Sequence, residues 1–380
     1  MSSRSRMWIG IALVTLLTGG SVALLSSPNK DLLGIRRQES LGNPSVGYAL
    51  DPGVVLQITG YQIAASNALT VNYQLTDPQG NPLDVNGVQS AGVVSVRFIL
   101  AYLPAGQPTA QYVPLTLTKN SSVPGDTVTQ PSTDSGGKNV QNADGTYSYT
   151  FGTLVPATVP TGSTLTVGAT ASRDLTELDQ GTNYANTTFS FVPGGGTPAV
   201  REVVTNADCN KCHSQIAFHG GSRRSTALCI LCHVPGYVNP QTGNAIDLKV
   251  MVHKIHMGSS LPSVVAGGTY EILNSHGTFN FSPIVFPSKP NTCVACHAGD
   301  AQQATAYLTR PAMVTCGSCH DDVNFATGAN HPGGVQVDDT KCATCHIPQG
   351  DTDFDASITG AHVNPDESSL LPGIVGNILS

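Results

Sequence analysis

"CNKCH", residues 209–213, places two thiols three positions apart with an imidazole directly after the second. The pattern returns at Cys229 to His233, Cys293 to His297, Cys316 to His320 and Cys342 to His346, and the five copies use all 10 cysteines of the chain. A disulfide framework has no use for a histidine after every second cysteine, and zinc ribbons pair their Cys-x-x-Cys units without one. Attachment of haem c needs all three residues: two thiols form thioethers to the porphyrin vinyl groups, and the next histidine reaches the iron from one face. The haem-attachment residues are therefore Cys209, Cys212, Cys229, Cys232, Cys293, Cys296, Cys316, Cys319, Cys342 and Cys345. The proximal iron ligands are His213, His233, His297, His320 and His346, and the cofactor content is five covalently bound haem c.

Every one of the 11 histidines lies beyond "PGGGTP", residues 193–198. Six remain once the proximal five are assigned: His219, His253, His256, His276, His331 and His362. They stand against five open iron faces. "IDLKVMVHKIHMG", residues 246–258, has Leu248, Met251, Val252 and Ile255 at helical spacing and Gly258 as a stop. His253 and His256 then project from nearly one helical face and would each cap a different haem. Met257 is set aside as a ligand because histidines already outnumber the vacancies.

Upstream, residues 43–192 read as β structure. "ALTVNYQL" alternates Leu69, Val71, Tyr73 and Leu75 against Thr70, Asn72 and Gln74, and breaks at "DPQGNP". "VVSVRFILAY", residues 93–102, is a mostly buried strand, and "TYSYTF", "STLTVGAT" and "TTFSF" follow. Short strands joined by Gly/Pro/Asn turns predict an antiparallel β sandwich or a Greek-key split barrel. The polar run from Lys119 to Asp144 is expected to be a long surface loop. No catalytic cluster occurs here, so a structural or docking role is expected. Residues 193–200 form the linker, 201–365 a loop-rich, mainly α pentahaem domain, and 366–380 a tail.

Arg4 and Arg6 ahead of "WIGIALVTLL" give residues 1–27 the layout of a secretory signal, with cleavage after Ala23 as one site and an uncleaved anchor as the alternative. Export agrees with haem c attachment, which takes place outside the cytoplasm. The expected location is the outer cell surface or the periplasm, and no cysteine is placed to make a lipoprotein. A formal charge of −7 with only 11% charged residues excludes nucleic acid as a partner. "NSS" at Asn120 and "NTT" at Asn186 fit the glycosylation triplet, against the plainer reading of polar strand and loop residues. Asp321-Asp322 and Asp338-Asp339 are candidate calcium ligands, against solvated acids that cap turns.

"CHSQIAFHGGSRRSTALCILCHVP", "DLKVMVHKIHMG" and "CGSCHDDVNFATGANHPGGVQVDDTKCATCH" together resemble the pentahaem module of the outer-surface multihaem c-type cytochromes, the OmcA/MtrC family, over nearly all of residues 207–363. In that family two such modules alternate with two β domains, and this chain resembles one half. The resemblance implies distal ligands at His219, His253, His256, His331 and His362 and leaves His276 as the spare. It implies electron transfer through closely packed bis-histidine haems to extracellular metal oxides, soluble shuttles or partner cytochromes. Expected partners are other c-type cytochromes or an outer-membrane electron conduit, with self-association as a further expectation. Two alternatives stand beside it: a reductase of a small nitrogen or sulfur oxyanion at one open-faced haem, and a subunit of a haem-bearing filament.

Overall fold

The computed structural model describes residues 52–370 apart from 108, 109, 124, 125, 275, 276, 298 and 369. The signal segment, His276 and most of the expected tail lie outside the described residues.

The N-terminal half consists of antiparallel strands. β1 (Val55–Ile63), β2 (Ala68–Thr76), β8 (Tyr147–Leu154) and β7 (Lys138–Gln141) form one sheet in the order β1-β2-β8-β7. β10 (Thr182–Phe191), β9 (Thr164–Asp174), β3 (Val93–Leu103) and β4 (Val113–Pro114) form a second in that order. The alternation in β2 does what its period of two demands: Leu69, Val71, Tyr73 and Leu75 are buried, and they meet Phe98 and Leu100 of β3 and Leu165, Val167 and Ala169 of β9 in one core. Tyr73 stacks on Tyr147, and Phe98 stacks on Tyr149. The sandwich is the expected alternative that is built. The two sheets remain separate, and no closed barrel forms among the described residues.

The run from Lys119 to Asp144 differs from the expected loop. β5 (Leu117–Val123) pairs with β6 (Asp126–Pro131), and β7 adds an edge to the first sheet. These strands are polar and β7 is exposed throughout, so no apolar period marks them in the sequence. They are held by backbone ladders, and Asp134 ties the segment back by accepting from the Gly152 and Thr153 amides at 2.8 and 3.0 Å.

The second sheet is covered on both faces along the C-terminal part of β3. Phe98 and Leu100 point into the sandwich. Ile99, Ala101 and Leu103 point out and pack with Leu228, Leu231 and Val234 of the C-terminal half. Burying each of these large aliphatic side chains stabilises the junction by about 1.5–3 kcal/mol. Gly168 of β9 makes the approach feasible, because a Cβ there would lie 2.5 Å from Leu228 and 2.7 Å from Leu231. This double burial is the reason β3 carries a continuous apolar run instead of a strict alternation.

The C-terminal half is loop-rich with short helices: α1 (Asn206–Asn210), α2 (Thr226–Cys229), α3 (Leu248–Met257), α4 (Pro262–Val265), α5 (Ala306–Thr309), α6 (Met313–Cys319), α7 (Cys342–Cys345) and α8 (Ile358–Ala361). A small hairpin of β11 (Glu271–Asn274) and β12 (Gly277–Asn280) follows α4. α3 runs as its sequence predicts, capped by Asp247 and stopped at Gly258. Gly258 has φ +45 and would clash with the Ile284 carbonyl if it carried a Cβ. Among the described residues no helix is long and apolar enough to cross a membrane.

Candidate haem sites

Each Cys-x-x-Cys-His segment folds into the same single turn. The backbone N–H of the histidine donates to the carbonyl of the first cysteine at 2.9–3.0 Å in all five: His213 to Cys209, His233 to Cys229, His297 to Cys293, His320 to Cys316 and His346 to Cys342. One helical turn brings the two thiols and the imidazole together, which is what a porphyrin attached at two vinyl groups and ligated once requires. Thr205 and Asp208 close a capping box ahead of the first turn, with Lys211 paired to Asp208 at 2.9 Å. All ten thiols are free.

Opposite each motif histidine stands a second imidazole. Ring centres lie 6.1 Å apart for His213 and His256, 5.9 Å for His219 and His233, and 6.3 Å for His253 and His297. His320 and His362 are 6.3 Å apart, as are His331 and His346. Two imidazole–metal bonds of about 2.0 Å, plus roughly 1.2 Å from each ligating nitrogen to its ring centre, add to about 6.4 Å. The five spacings fit one metal ion between the members of each pair. His253 and His256 face different motifs, the third and the first, as their spacing on α3 predicts.

The other ring nitrogens are held in a way that leaves Nε2 for ligation. Nδ1 donates to a backbone carbonyl in His233 (Ile246, 2.8 Å), His256 (Val252, 2.7 Å), His331 (Gly334, 2.8 Å), His346 (Ala356, 2.8 Å) and His362 (Ile358, 2.7 Å). His253 Nδ1 lies 3.2 Å from the Ser318 hydroxyl, whose own proton goes to the Thr315 carbonyl. These bonds put the proton on Nδ1 and fix the ring plane. Ser318 is buried inside the fourth motif yet orients His253, which faces the third, a role nothing in the spacing reveals. Desolvation, with smaller pushes from His297, His256 and Lys249, drives the His253 imidazole down to about 4 and so keeps it neutral. His219 keeps an edge open to solvent, yet desolvation, His233 and Arg223 push it down to about 4 as well.

The motifs lie close enough for their thiols to feel one another. Desolvation raises them most, Cys229 to about 11 and Cys232 to about 12. Neighbouring motifs add to the push: Cys296 on Cys209, Cys209 on Cys229, Cys293 on Cys319 and Cys342 on Cys316. Adjacency therefore runs second, first, third, fourth, fifth, with the second motif packed on the β sheet.

The carboxylates have other work than calcium. Asp321 accepts from Lys254 Nζ and the Ser263 hydroxyl at 2.6 Å and from the Ser263 amide at 2.9 Å; burial raises its carboxyl, and these donors outweigh that and hold it below the usual range. Asp338 caps Thr340, Asp339 accepts from the Met313 amide, and Asp322 accepts from Asn330. The Asn186 side chain donates to the Ser222 carbonyl at 2.9 Å and accepts from the Arg224 amide at 2.6 Å, so it serves the junction and not a glycan. The side chain of Asn120 lies outside the described residues.

Residues 201–357 match the model of the outer membrane cytochrome MtrC/MtrF-like family, domains II/IV. The multiheme cytochrome MtrC of Shewanella baltica (strain OS185) is 28% identical over 217 residues, 54% of this chain and 28% of that protein. The crystal structure of the outer membrane decaheme cytochrome OmcA superposes with a TM-score of 0.62 at 24% identity, over 82% of this chain and 48% of that one. The chain thus spans about half the length of the solved relative and less of the curated one, and the likeness to OmcA is one of fold. Over its five-motif C-terminal half, the chain is similar to the MtrC/OmcA family of multihaem cytochromes.

Proposed function

We propose that this chain is an exported pentahaem c-type cytochrome that passes electrons along a row of bis-histidine haems. The observation that carries this reading is the set of five imidazole pairs at 5.9–6.3 Å, each joining a motif histidine to one outside the motifs. The pairs that would hold the irons are His213 with His256, His233 with His219, His297 with His253, His320 with His362 and His346 with His331. When bound, haem supplies a one-electron ferric/ferrous couple. The protein contributes covalent attachment through ten thiols, two imidazoles per iron, and short separations between neighbouring motifs. Histidine pairs, unlike methionine, favour low potentials.

Both axial positions being taken by the chain, no face is left for nitrite or a sulfur oxyanion, and transfer to a partner takes precedence over reduction of a bound small substrate. Similarity to the outer membrane cytochromes supports extracellular metal oxides, soluble shuttles or partner cytochromes as acceptors, and the outer surface as the place of work. The test is a low-temperature electron paramagnetic resonance spectrum of the oxidised holoprotein, with haem counted as the pyridine haemochrome. Five low-spin haems and no high-spin signal are expected. A high-spin signal near one haem equivalent would overturn the closed-wire reading.

A further inference from the structure

The turn that presents His219 is built jointly by both halves of the chain. His219 has φ +52 within a turn closed by Phe218 and Arg223, whose backbones exchange hydrogen bonds at 2.9 and 3.0 Å. Asn186 of β10 grips the far side of that turn. Arg223 reaches across the junction and donates from its guanidinium to Thr170 Oγ1 of β9 at 2.6 Å. Between turn and sheet lies a cavity of about 390 Å³ lined by Arg97, Thr170, Tyr184, His219 and Arg223, among others, and none of its lining residues is a carboxylate.

We propose that Arg97 and Arg223 tune the second haem, holding its reduction potential above the value the same histidine pair would give without them, so that the β domain is part of that haem's site. The proposal rests on the reading of His219 and His233 as an axial pair. The physical ground is charge. A guanidinium keeps its proton at any working pH, and a fixed positive charge beside a desolvated iron disfavours the ferric form, which carries one more positive charge than the ferrous. Arg223 is close enough to the attachment thiols Cys229 and Cys232, and to His219, to act on each of them electrostatically, and close enough to Arg97 for the two cations to repel. Thr170 fixes Arg223 in place. Arg97 stands on the outward face of β3, in the same cavity. The β domain thus contributes a charge and an anchor where the sequence shows only a strand.

The test is a potentiometric titration of the full-length holoprotein carrying Arg97→Gln, Arg223→Gln or both, with the haem count and the low-spin spectrum recorded alongside. One of the five couples is expected to move down while four stay. In the double variant its ferric-to-ferrous ratio at a fixed potential should rise at least tenfold, about 59 mV for a one-electron couple. Arg97→Lys and Arg223→Lys should restore most of the shift. His219→Met should move the same couple, which identifies it as the second haem. Should Arg223→Gln fail to fold, the Arg97→Gln and Arg97→Lys pair decides alone, since Arg97 lies at the sheet surface. Five low-spin haems with all five potentials unmoved would overturn the proposal and leave the ligation standing. A wild-type spectrum lacking five low-spin haems would overturn the ligation itself.

Discussion

Gly168→Ala tests whether the sheet and the haem module are one packed unit. The added methyl would sit 2.5 Å from Leu228 Cδ1 and 2.7 Å from Leu231 Cδ1, about 1 Å short of the optimal carbon–carbon separation of roughly 3.5 Å. Both leucines are at most 1% exposed, so neither has solvent to retreat into. Overpacking of this kind costs about 1–3 kcal/mol. Replacing a strand glycine recovers about 0.5–1 kcal/mol of backbone entropy, which leaves a net loss centred on roughly 1 kcal/mol. Denaturant unfolding should be followed by far-ultraviolet circular dichroism and by Soret absorbance, which separate the sheets from the haem module. The midpoints should fall together. Leu231→Ala alone should cost about 2–5 kcal/mol through the cavity it leaves, and it should make room for the new methyl. The double variant is therefore expected to be more stable than the sum of the singles by at least about 0.5 kcal/mol. Strict additivity, or a Gly168→Ala protein as stable as wild type, would refute the packing argument.

Asp321→Ala strands the Lys254 ammonium, whose side chain is 18% exposed, and should cost about 3 kcal/mol in denaturant unfolding. The same carboxylate makes stability pH-dependent. Its folded pKa lies below the unbound value of 3.8, so the unfolded chain takes up the proton first; its contribution is present in full above that value and is lost as pH falls through the lower folded one. The midpoint of wild type, but not of Asp321→Ala, should show this loss. Ser318→Ala removes the acceptor for His253 Nδ1, which makes the ring a less basic ligand, and should raise one haem potential and broaden its low-spin signal without changing the haem count. His362→Ala should convert one haem equivalent to high spin, whereas His276→Ala should leave five low-spin haems.

The motifs told much of this in advance, because haem attachment is a local chemistry: two thiols and an imidazole within five residues close one turn whatever surrounds them. The α3 helix was equally legible, since its apolar spacing, its Asp247 cap and Gly258 all act within one segment. The partners of its histidines were not. His256 faces His213 and His253 faces His297, more than forty residues away in each case, and no periodicity encodes such a distance. The polar strands β5 to β7 escaped because their ladders are made of backbone groups that every residue carries. The junction escaped for another reason: Leu228 and Leu231 sit inside the second haem motif's segment, where an apolar residue looks like haem packing, and Gly168 looks like a simple weak point in a strand. The long apolar run of β3 was the one signal that this part of its sheet has no solvent face.

The five proposed distal ligands divide by how they are held, and this division predicts the order in which the sites fail. His256 and His362 bond to the carbonyl four residues before them, and His331 to the carbonyl three residues after it, so each ring is oriented within its own turn. His253 depends on Ser318 of another helix, and His219 on a strained turn gripped by Asn186 of β10 and tied through Arg223 to Thr170 of β9. Local orientation survives loosening of the tertiary structure; orientation across a packing interface does not. Mild denaturant should therefore turn the second and third haems high-spin before the first, fourth and fifth. Asn186→Ala, which frees the His219 turn at a cost of about 1–3 kcal/mol for the groups left unpaired, should bring the second haem's transition forward and leave the others in place. Graded spectroscopic titration with haem-specific assignment checks this. Simultaneous loss of all five low-spin signals in both proteins would mean that the module melts as one body and that the mode of holding each ring does not matter.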